Sequence, residues 1–186
     1  MNVYDFDDTI YNGDSSVDFY KFCLRRHPSV LCCAPAQAGA YIRFRAGRYT
    51  RTEMKQIIYG YLRYVDNIDS EIRLFWNIHK KNLKEWYMKD KRREDDLIIS
   101  ASPEFLLAPV FKEIGVEMMG SKLDKYTGIY SGENCYGEEK PKRFYEKYPA
   151  GVIDEFYSDS YSDLPLAKLA RKAFMVKGNR ITEWNI

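Results

Sequence analysis

Histidine and cysteine, the usual ligands of zinc and of many redox metals, are scarce in this sequence. There are two histidines and four cysteines in 186 residues. The cysteine spacings match no zinc-ligand pattern, and Cys32 and Cys33 are adjacent. We therefore expect reduced thiols and no structural zinc.

The sequence also lacks a long uncharged apolar run. The longest stretch without a charged side chain, residues 27–42, is shorter than a membrane-spanning helix and contains two prolines. The first residues show neither the basic start nor the apolar stretch of a signal peptide. We expect a cytoplasmic protein with no spanning helix, and the balanced composition excludes a disordered chain.

An overall excess of charge is missing as well, because 29 Lys and Arg face 27 Asp and Glu, for a net charge of +2. The two signs are unevenly distributed. Residues 14–93 contain 17 basic and 8 acidic residues, whereas the rest of the chain contains 12 basic and 19 acidic residues. A basic segment suits phosphate esters, anionic lipid surfaces or nucleic acid, or it is simply a solvated helical surface. With no recognisable docking motif, we expect no specific nucleic-acid binding.

Alternating apolar strands and amphipathic helices predict an α/β fold. The expected strands cover residues 2–6, 97–99, 116–119, 152–157 and 173–176, and the expected helices cover residues 103–114, 141–148 and 163–172. Polar residues follow three of the strands. This order predicts a Rossmann-like open parallel sheet that binds ligands beyond its strand ends.

Residues 14–93 interrupt that alternation with helical patterns alone. Thr50 and Glu53 have the spacing of a capping box at a helix start. Apolar residues from Ile72 to Tyr87 recur at helical spacing and predict one long helix. We expect an α/β core formed by residues 1–13 and 94–186, with residues 14–93 inserted as an all-helical cap domain.

The acids after the first strand are the strongest chemical signal. Asp5 and Asp7 are two residues apart, so in strand geometry they project to the same side. Neighbouring carboxylates repel one another, and hard oxygen ligands favour Mg²⁺ as the compensating cation. The alternative is an acidic turn or a helix N-cap.

Further polar residues follow later strands. Ser100 closes the second strand, Lys140 lies near a helix start, and Asp159 and Asp163 follow a fourth apolar segment. Lys142 is an alternative to Lys140. Ser102 is an alternative to Ser100, although its position before Pro103 suits a helix N-cap.

Together these residues resemble the four motifs of the haloacid dehalogenase superfamily of phosphohydrolases. Asp5, Asp7 and Thr9 match its Asp-x-Asp-x-Thr loop, and the later motifs match at Ser100, Lys140, Asp159 and Asp163. The helical insertion after the first motif resembles the cap of the phosphoserine phosphatase-like branch. Ser158 stands where the family often has glycine.

The resemblance implies a fold and a mechanism. It implies that Asp5 is a nucleophile forming an aspartyl-phosphate and that Asp7 is the general acid and base. It places Thr9 in the phosphate-binding set, where Thr9 supports the loop that holds Asp7. It also implies that Ser100 and Lys140 bind the phosphoryl oxygens. The implied Mg²⁺ ligands are Asp5, Asp7 through its backbone carbonyl, Asp159 and Asp163.

The substrate is less well defined than the chemistry. Asp14 stands nine positions after Asp5, where phosphoserine phosphatases have a Glu that contacts the substrate, so it is a possible specificity residue. The expected partner is a small phosphorylated metabolite. Weak contact of residues 27–42 with a membrane surface is a second hypothesis, and the oligomeric state stays open. The alternative function is a catalytically silent protein that binds a phosphorylated ligand or an anionic surface through its basic cap.

Overall fold

A computed structural model describes all 186 residues, and its centre is one six-stranded sheet. The strand order is β3-β2-β1-β4-β5-β6, with β1 to β5 parallel and β6 antiparallel to β5. The strands are β1 (Val3–Tyr4), β2 (Leu97–Pro103), β3 (Glu117–Ser121), β4 (Ile153–Ser158), β5 (Ala170–Lys177) and β6 (Arg180–Glu183). The predicted α/β class with an open, mostly parallel sheet is confirmed.

Helices cover both faces of the sheet. The helices after β2 are α5 (Glu104–Ile114), α6 (Glu139–Lys147) and α7 (Leu164–Ala167). On one face, Phe144 of α6 and Leu166 of α7 pack on Leu97 and Ile99 of β2. Because parallel strands are buried on both sides, their sequences are continuous apolar runs rather than alternating ones.

Between β1 and β2 the chain forms helices alone. They are α1 (Ser15–Arg26), α2 (Ala34–Arg45), α3 (Arg51–Tyr59) and α4 (Ile68–His79), with 3₁₀ segments at Pro28–Cys33, Gly60–Tyr64 and Lys80–Asn82 and a π-helical segment at Trp86–Lys91. The Thr50–Glu53 capping box at the start of α3 is confirmed, since each side chain bonds the other residue's backbone N–H. No helix of the protein is both long and apolar enough to cross a membrane.

The inserted helices share an apolar cluster with the second face of the sheet. Phe75 and Trp76 of α4 belong to the same buried cluster as Tyr4 and Phe6 around β1 and Phe111 of α5. The Trp76 indole N–H also donates to the Leu106 carbonyl at 2.6 Å. This packing joins the inserted helices and one face of the sheet in a single apolar core.

Two predicted helices are wrong in extent. The apolar stripe from Ile72 to Tyr87 does not form one helix, because α4 ends at His79 and the chain turns there. Leu83 instead forms an isolated antiparallel bridge with Tyr11. The helix predicted for residues 163–172 ends at Ala167, because the following residues join the sheet as β5, and the sequence pattern does not predict β6.

Candidate active site

A cavity of about 570 Å³ lies between the carboxyl ends of the strands and the inserted helices. Asp5, Asp7 and Lys140 line it on the sheet side, and α1 to α3 form the other walls. Ligands of open α/β sheets bind at this edge, because the polar residues that follow the strands meet there. The first and last predicted motifs are therefore brought together.

Lys140 lies at the base of this cavity between two carboxylates. Its ammonium group donates to Asp5 Oδ1 and to Asp163 Oδ2, both at 2.7 Å, and only 2% of its side chain is exposed. The backbone turns into α6 at Gly137, whose φ of +58° is readily adopted by glycine. The exposed alternative Lys142 contacts Glu139 at 3.5 Å and does not line the cavity.

The electrostatics of this cluster follow from burial. Desolvation raises the pKa of Asp5, the Asp163 and Asp7 carboxylates raise it further, and the Lys140 ammonium opposes the rise. For Lys140, desolvation lowers the pKa, but the two carboxylates outweigh it and keep the pKa above its usual range. The ammonium therefore remains charged at the base of the cavity.

Asp7 is held by donors on both carboxylate oxygens. The Ser15 backbone N–H donates to Oδ1 at 2.7 Å, and the Ser102 hydroxyl donates to Oδ2 at 2.5 Å. Burial and the nearby Asp14 carboxylate raise the pKa of Asp7 to about 6, with Ser102 and Ser15 opposing that rise. A carboxyl group with a pKa near neutrality suits proton transfer in both directions.

Thr9 connects two of the motif loops and does not reach the cavity. Its hydroxyl accepts a hydrogen bond from the Asp159 backbone N–H at 2.9 Å, and its side chain is fully buried. Thr9 is absent from the cavity lining, whereas Asp159 is part of it. Thr9 thus contacts the loop that carries Asp159 rather than the cavity itself.

The two serines at the end of β2 have different environments. The Ser100 hydroxyl is fully buried, accepts from the Ser102 backbone N–H at 3.0 Å and does not line the cavity. Ser102 lines the cavity beside Asp7. The N-cap expectation for Ser102 is wrong, because β2 extends to Pro103 and Pro103 itself occupies the cap position of α5.

Asp14 is exposed on the cavity wall at the start of α1. It is the N-cap of that helix, and its Oδ1 accepts from the Val17 backbone N–H at 2.9 Å. The second carboxylate oxygen accepts no hydrogen bond within the protein. The position predicted to affect specificity therefore does face the cavity.

Two lysines of the insertion that the motifs do not single out reach the core. Lys55 of α3 lines the cavity and donates to the Ala101 carbonyl and to Asn134 Oδ1, at 3.2 and 3.0 Å, and burial lowers its pKa to about 8. Lys84 donates to the Asp8 carbonyl at 2.5 Å. Nothing local in the sequence distinguishes these lysines, because their partners lie tens of residues away.

The carboxylates provide a donor set that suits a hard divalent cation. Asp163 Oδ1 is buried without a hydrogen-bond partner, and burial together with the Asp8 carboxylate raises the pKa of Asp159. No three His, Cys, Asp or Glu side chains form a ready-made metal cluster. Mg²⁺ is commonly held by one or two carboxylates, with waters and substrate phosphate completing its shell, so these residues fit it.

The sheet and its edge define the class of the protein: an α/β protein with a carboxylate-rich, lysine-containing cavity at the switch point of its strands. A model of the haloacid dehalogenase-like hydrolase family matches residues 3–168. The chain therefore belongs to the haloacid dehalogenase-like hydrolases, which confirms the superfamily and the hydrolase class predicted from the motifs. No curated protein sequence matches the chain.

Solved structures support the same fold at low sequence identity. A protein described as of unknown function from Bordetella pertussis Tohama I has a TM-score of 0.76 and 19% identity, with 93% of this chain and 87% of that chain covered. A probable phosphoserine phosphatase from Vibrio cholerae has a TM-score of 0.66 and 11% identity, with 92% of this chain and 55% of that chain covered. A substrate-bound phosphoserine phosphatase has a TM-score of 0.60 and 12% identity, with 92% of this chain and 82% of that chain covered. This chain thus spans about half the length of the Vibrio protein.

Proposed function

We propose that this protein is a Mg²⁺-dependent phosphomonoester hydrolase that works through an aspartyl-phosphate at Asp5. The observation that carries the proposal is the Lys140 ammonium, held between Asp5 and Asp163 at the base of the cavity. Membership of the haloacid dehalogenase-like hydrolases supports the hydrolytic chemistry. The phosphoserine phosphatases among the similar structures support a phosphorylated substrate.

In the first step an Asp5 carboxylate oxygen attacks phosphorus while the bond from phosphorus to the ester oxygen breaks. The departing oxygen takes the proton of Asp7, whose pKa of about 6 leaves a usable protonated fraction near neutral pH. The phosphoryl group is then an acyl phosphate on Asp5. One difficult displacement is thereby divided into two easier ones.

In the second step water attacks the phosphorus and the bond to Asp5 breaks. The Asp7 carboxylate accepts a proton from that water, which returns both residues to their starting states. Ser15 and Ser102 hold the Asp7 carboxylate in one orientation through both steps, since each donates to a different oxygen. Fixed geometry of this kind avoids reorganisation during the reaction.

Positive charge is required because a carboxylate must approach an anionic phosphate. Lys140 supplies one positive charge, and we assign Ser100 or Ser102 as the hydroxyl that binds a phosphoryl oxygen, with Thr9 supporting the loop. Of the two serines, Ser102 lines the cavity but donates its single hydroxyl proton to Asp7, whereas the proton of the buried Ser100 hydroxyl is not committed to another side chain. The Mg²⁺ ligands in this proposal are Asp5, the Asp7 carbonyl, Asp159 and Asp163. The ion would neutralise charge on the phosphoryl oxygens.

We further propose that residues 14–93 act as a cap over a core formed by residues 1–13 and 94–186. Support comes from the cavity walls, since Gln37 of α2 and Met54 of α3 line the same cavity as Asp5. Lys55 joins the two parts through the Ala101 carbonyl. A closed cap excludes water and thereby strengthens the electrostatic interactions inside.

The substrate in this proposal is a small phosphorylated metabolite bound in the cytoplasm. Asp14 faces the cavity and would favour a cationic or hydrogen-bond-donating group on that substrate. All four cysteines are free, in keeping with a reducing compartment.

Hydrolysis of p-nitrophenyl phosphate with and without Mg²⁺ tests the proposal. Wild type is expected to turn over only with the metal, and Asp5→Asn is expected to lose that activity. Asp95→Asn is the matched control and is expected to keep the activity, because Asp95 is 59% exposed and lies outside the cavity. Absence of metal-dependent turnover above the Asp5→Asn background, across phosphorylated amino acids, amino alcohols, sugars and lipids, would favour the catalytically silent alternative.

A further inference from the structure

Helix α2 forms an unusually apolar and exposed part of the surface. Ala40 is its one buried residue, although the helix has no acidic residue and a largely apolar sequence. Ile42 is 66% exposed and Tyr41 is 53% exposed, and Leu31 in the preceding 3₁₀ segment is 56% exposed. We call Leu31, Tyr41 and Ile42 the α2 surface. Large apolar side chains exposed on one short segment are typical of an interaction site.

Basic residues predominate in the segment that contains the α2 surface, and two of them form ion pairs with acids outside it. Residues 19–52 contain seven Lys and Arg and no Asp or Glu. Arg43 and Arg45 end α2, Arg48 follows it, and all three are exposed. Arg45 and Arg48 have no ion pair or hydrogen bond with another side chain, so their charge is available to a partner. The complementary partner is an anionic surface.

The α2 surface is continuous with the cavity. Tyr41 is both exposed on the surface and part of the cavity wall. Val17, Met54 and Ile58 line the same cavity and make part of its wall apolar. Tyr41 thus belongs both to the α2 surface and to the cavity that contains Asp5.

We propose that the α2 surface docks on an anionic phospholipid bilayer, with Leu31, Tyr41 and Ile42 in the interface and the arginines against the lipid head groups. Exposed apolar side chains partition into the membrane interface, and each basic residue near an anionic membrane adds to the affinity. A bilayer fits this surface because exposed apolar side chains occur on the same segment as the unpaired Arg45 and Arg48. One consequence rests on the proposed function: the preferred substrate is a phosphomonoester with an apolar substituent, which follows the apolar cavity wall.

Sedimentation of the full chain with vesicles tests the docking. Vesicles of phosphatidylcholine mixed with phosphatidylglycerol are expected to carry the protein down at low salt, and pure phosphatidylcholine vesicles are not. High salt is expected to release it, because screening shortens the range of the attraction. No binding to the mixed vesicles, or equal binding to both kinds, would overturn the docking.

Variants at exposed positions test whether the α2 surface is the part of the protein that binds the vesicles. Arg45→Glu is expected to weaken vesicle binding about thirtyfold, because it changes the charge at the membrane by two units. Lys112→Glu, an identical charge change at an exposed position on α5, is its control. Ile42→Ser is expected to weaken binding, whereas Ile78→Ser, at a position 52% exposed on α4, is expected to leave it unchanged. Equal loss in a variant and its control would contradict the assignment.

Two further readouts separate membrane docking from dimerisation through the same surface and from the proposed hydrolase function. Light scattering of the free protein is expected to show a monomer, or an oligomer that Ile42→Ser leaves intact. A dimer that Ile42→Ser disperses would overturn the proposal, because a second copy of the chain would then cover the α2 surface. All four variants are expected to retain wild-type hydrolysis of soluble p-nitrophenyl phosphate, so loss of docking with intact turnover would leave the proposed function standing. Docking by a protein without any turnover would support the docking and overturn the proposed function.

Discussion

Replacing Lys140 with Met perturbs the ion cluster at the base of the cavity. Lys140 is the one cation in contact with both Asp5 and Asp163, and its side chain is 2% exposed. Met has a similar length and removes only the charge and its hydrogen bonds. Two buried carboxylates then face one another without the ammonium.

The expected cost follows from the energetics of buried ion pairs. Removing one partner of such a pair costs about 3–5 kcal/mol, because the remaining charge is left buried and uncompensated. Neutralising Asp163 as well, in Lys140→Met with Asp163→Asn, is expected to recover part of this cost. The two substitutions therefore couple by more than about 1 kcal/mol in a double-mutant cycle.

Urea unfolding in metal-free buffer measures the free energies, and p-nitrophenyl phosphate hydrolysis measures the activity. Lys142→Met is the control, because its side chain is 62% exposed and its ion pair contributes about 0–1 kcal/mol. Activity is expected to fall at least about 100-fold in Lys140→Met, as for loss of a group that stabilises transition-state charge. Equal stability and activity of the Lys140 and Lys142 variants would show that Lys140 does not hold the two carboxylates.

Two further predictions concern proton transfer and packing. Ser102→Ala is expected to raise the pKa of Asp7 above its value of about 6, because a donor to the carboxylate is lost. The protonated acid then persists to higher pH, so the alkaline limb of the pH–rate profile shifts to higher pH by about one unit, as for loss of a charge-assisted hydrogen bond. An unshifted alkaline limb would exclude the contact between Ser102 and Asp7. Gly128→Ala is expected to lower the free energy of unfolding, measured in urea, by more than about 3 kcal/mol, because φ is +74° and the added Cβ would collide with the Tyr59 carbonyl group. Gly47→Ala, with φ at +70° in open space, is expected to lower it by only about 1–2 kcal/mol. Equal losses would contradict the close approach of Gly128 to Tyr59.

Much of the fold can be predicted because apolar runs and helix starts are local signals. The five parallel strands lie close to where the apolar runs predict them, and the capping box at Thr50 is present. Residues 168–172 have a charged and apolar pattern that suits either a helix or a strand. Pairing of β5 with β4 decides between the two, and such pairing is a tertiary interaction that local propensity does not contain.

The candidate site is predictable in its acids and less so in its supporting contacts. Asp5 and Asp7 can be recognised because their spacing is short and follows a strand. The bond from Ser102 to Asp7 joins residues 95 positions apart, and Lys55 reaches Ala101 across 46 positions. Contacts of this kind depend on how the inserted helices lie over the sheet, which no local pattern specifies.

Trapping the phosphorylated enzyme would establish whether Asp5 is the nucleophile. Wild type is mixed with p-nitrophenyl phosphate and Mg²⁺, quenched in acid within a turnover, digested and analysed by mass spectrometry. We predict a phosphoryl group on Asp5 that is lost on treatment with hydroxylamine and is absent from Asp5→Asn. Turnover without a phosphorylated Asp5, or phosphorylation of another residue, would contradict the proposed mechanism.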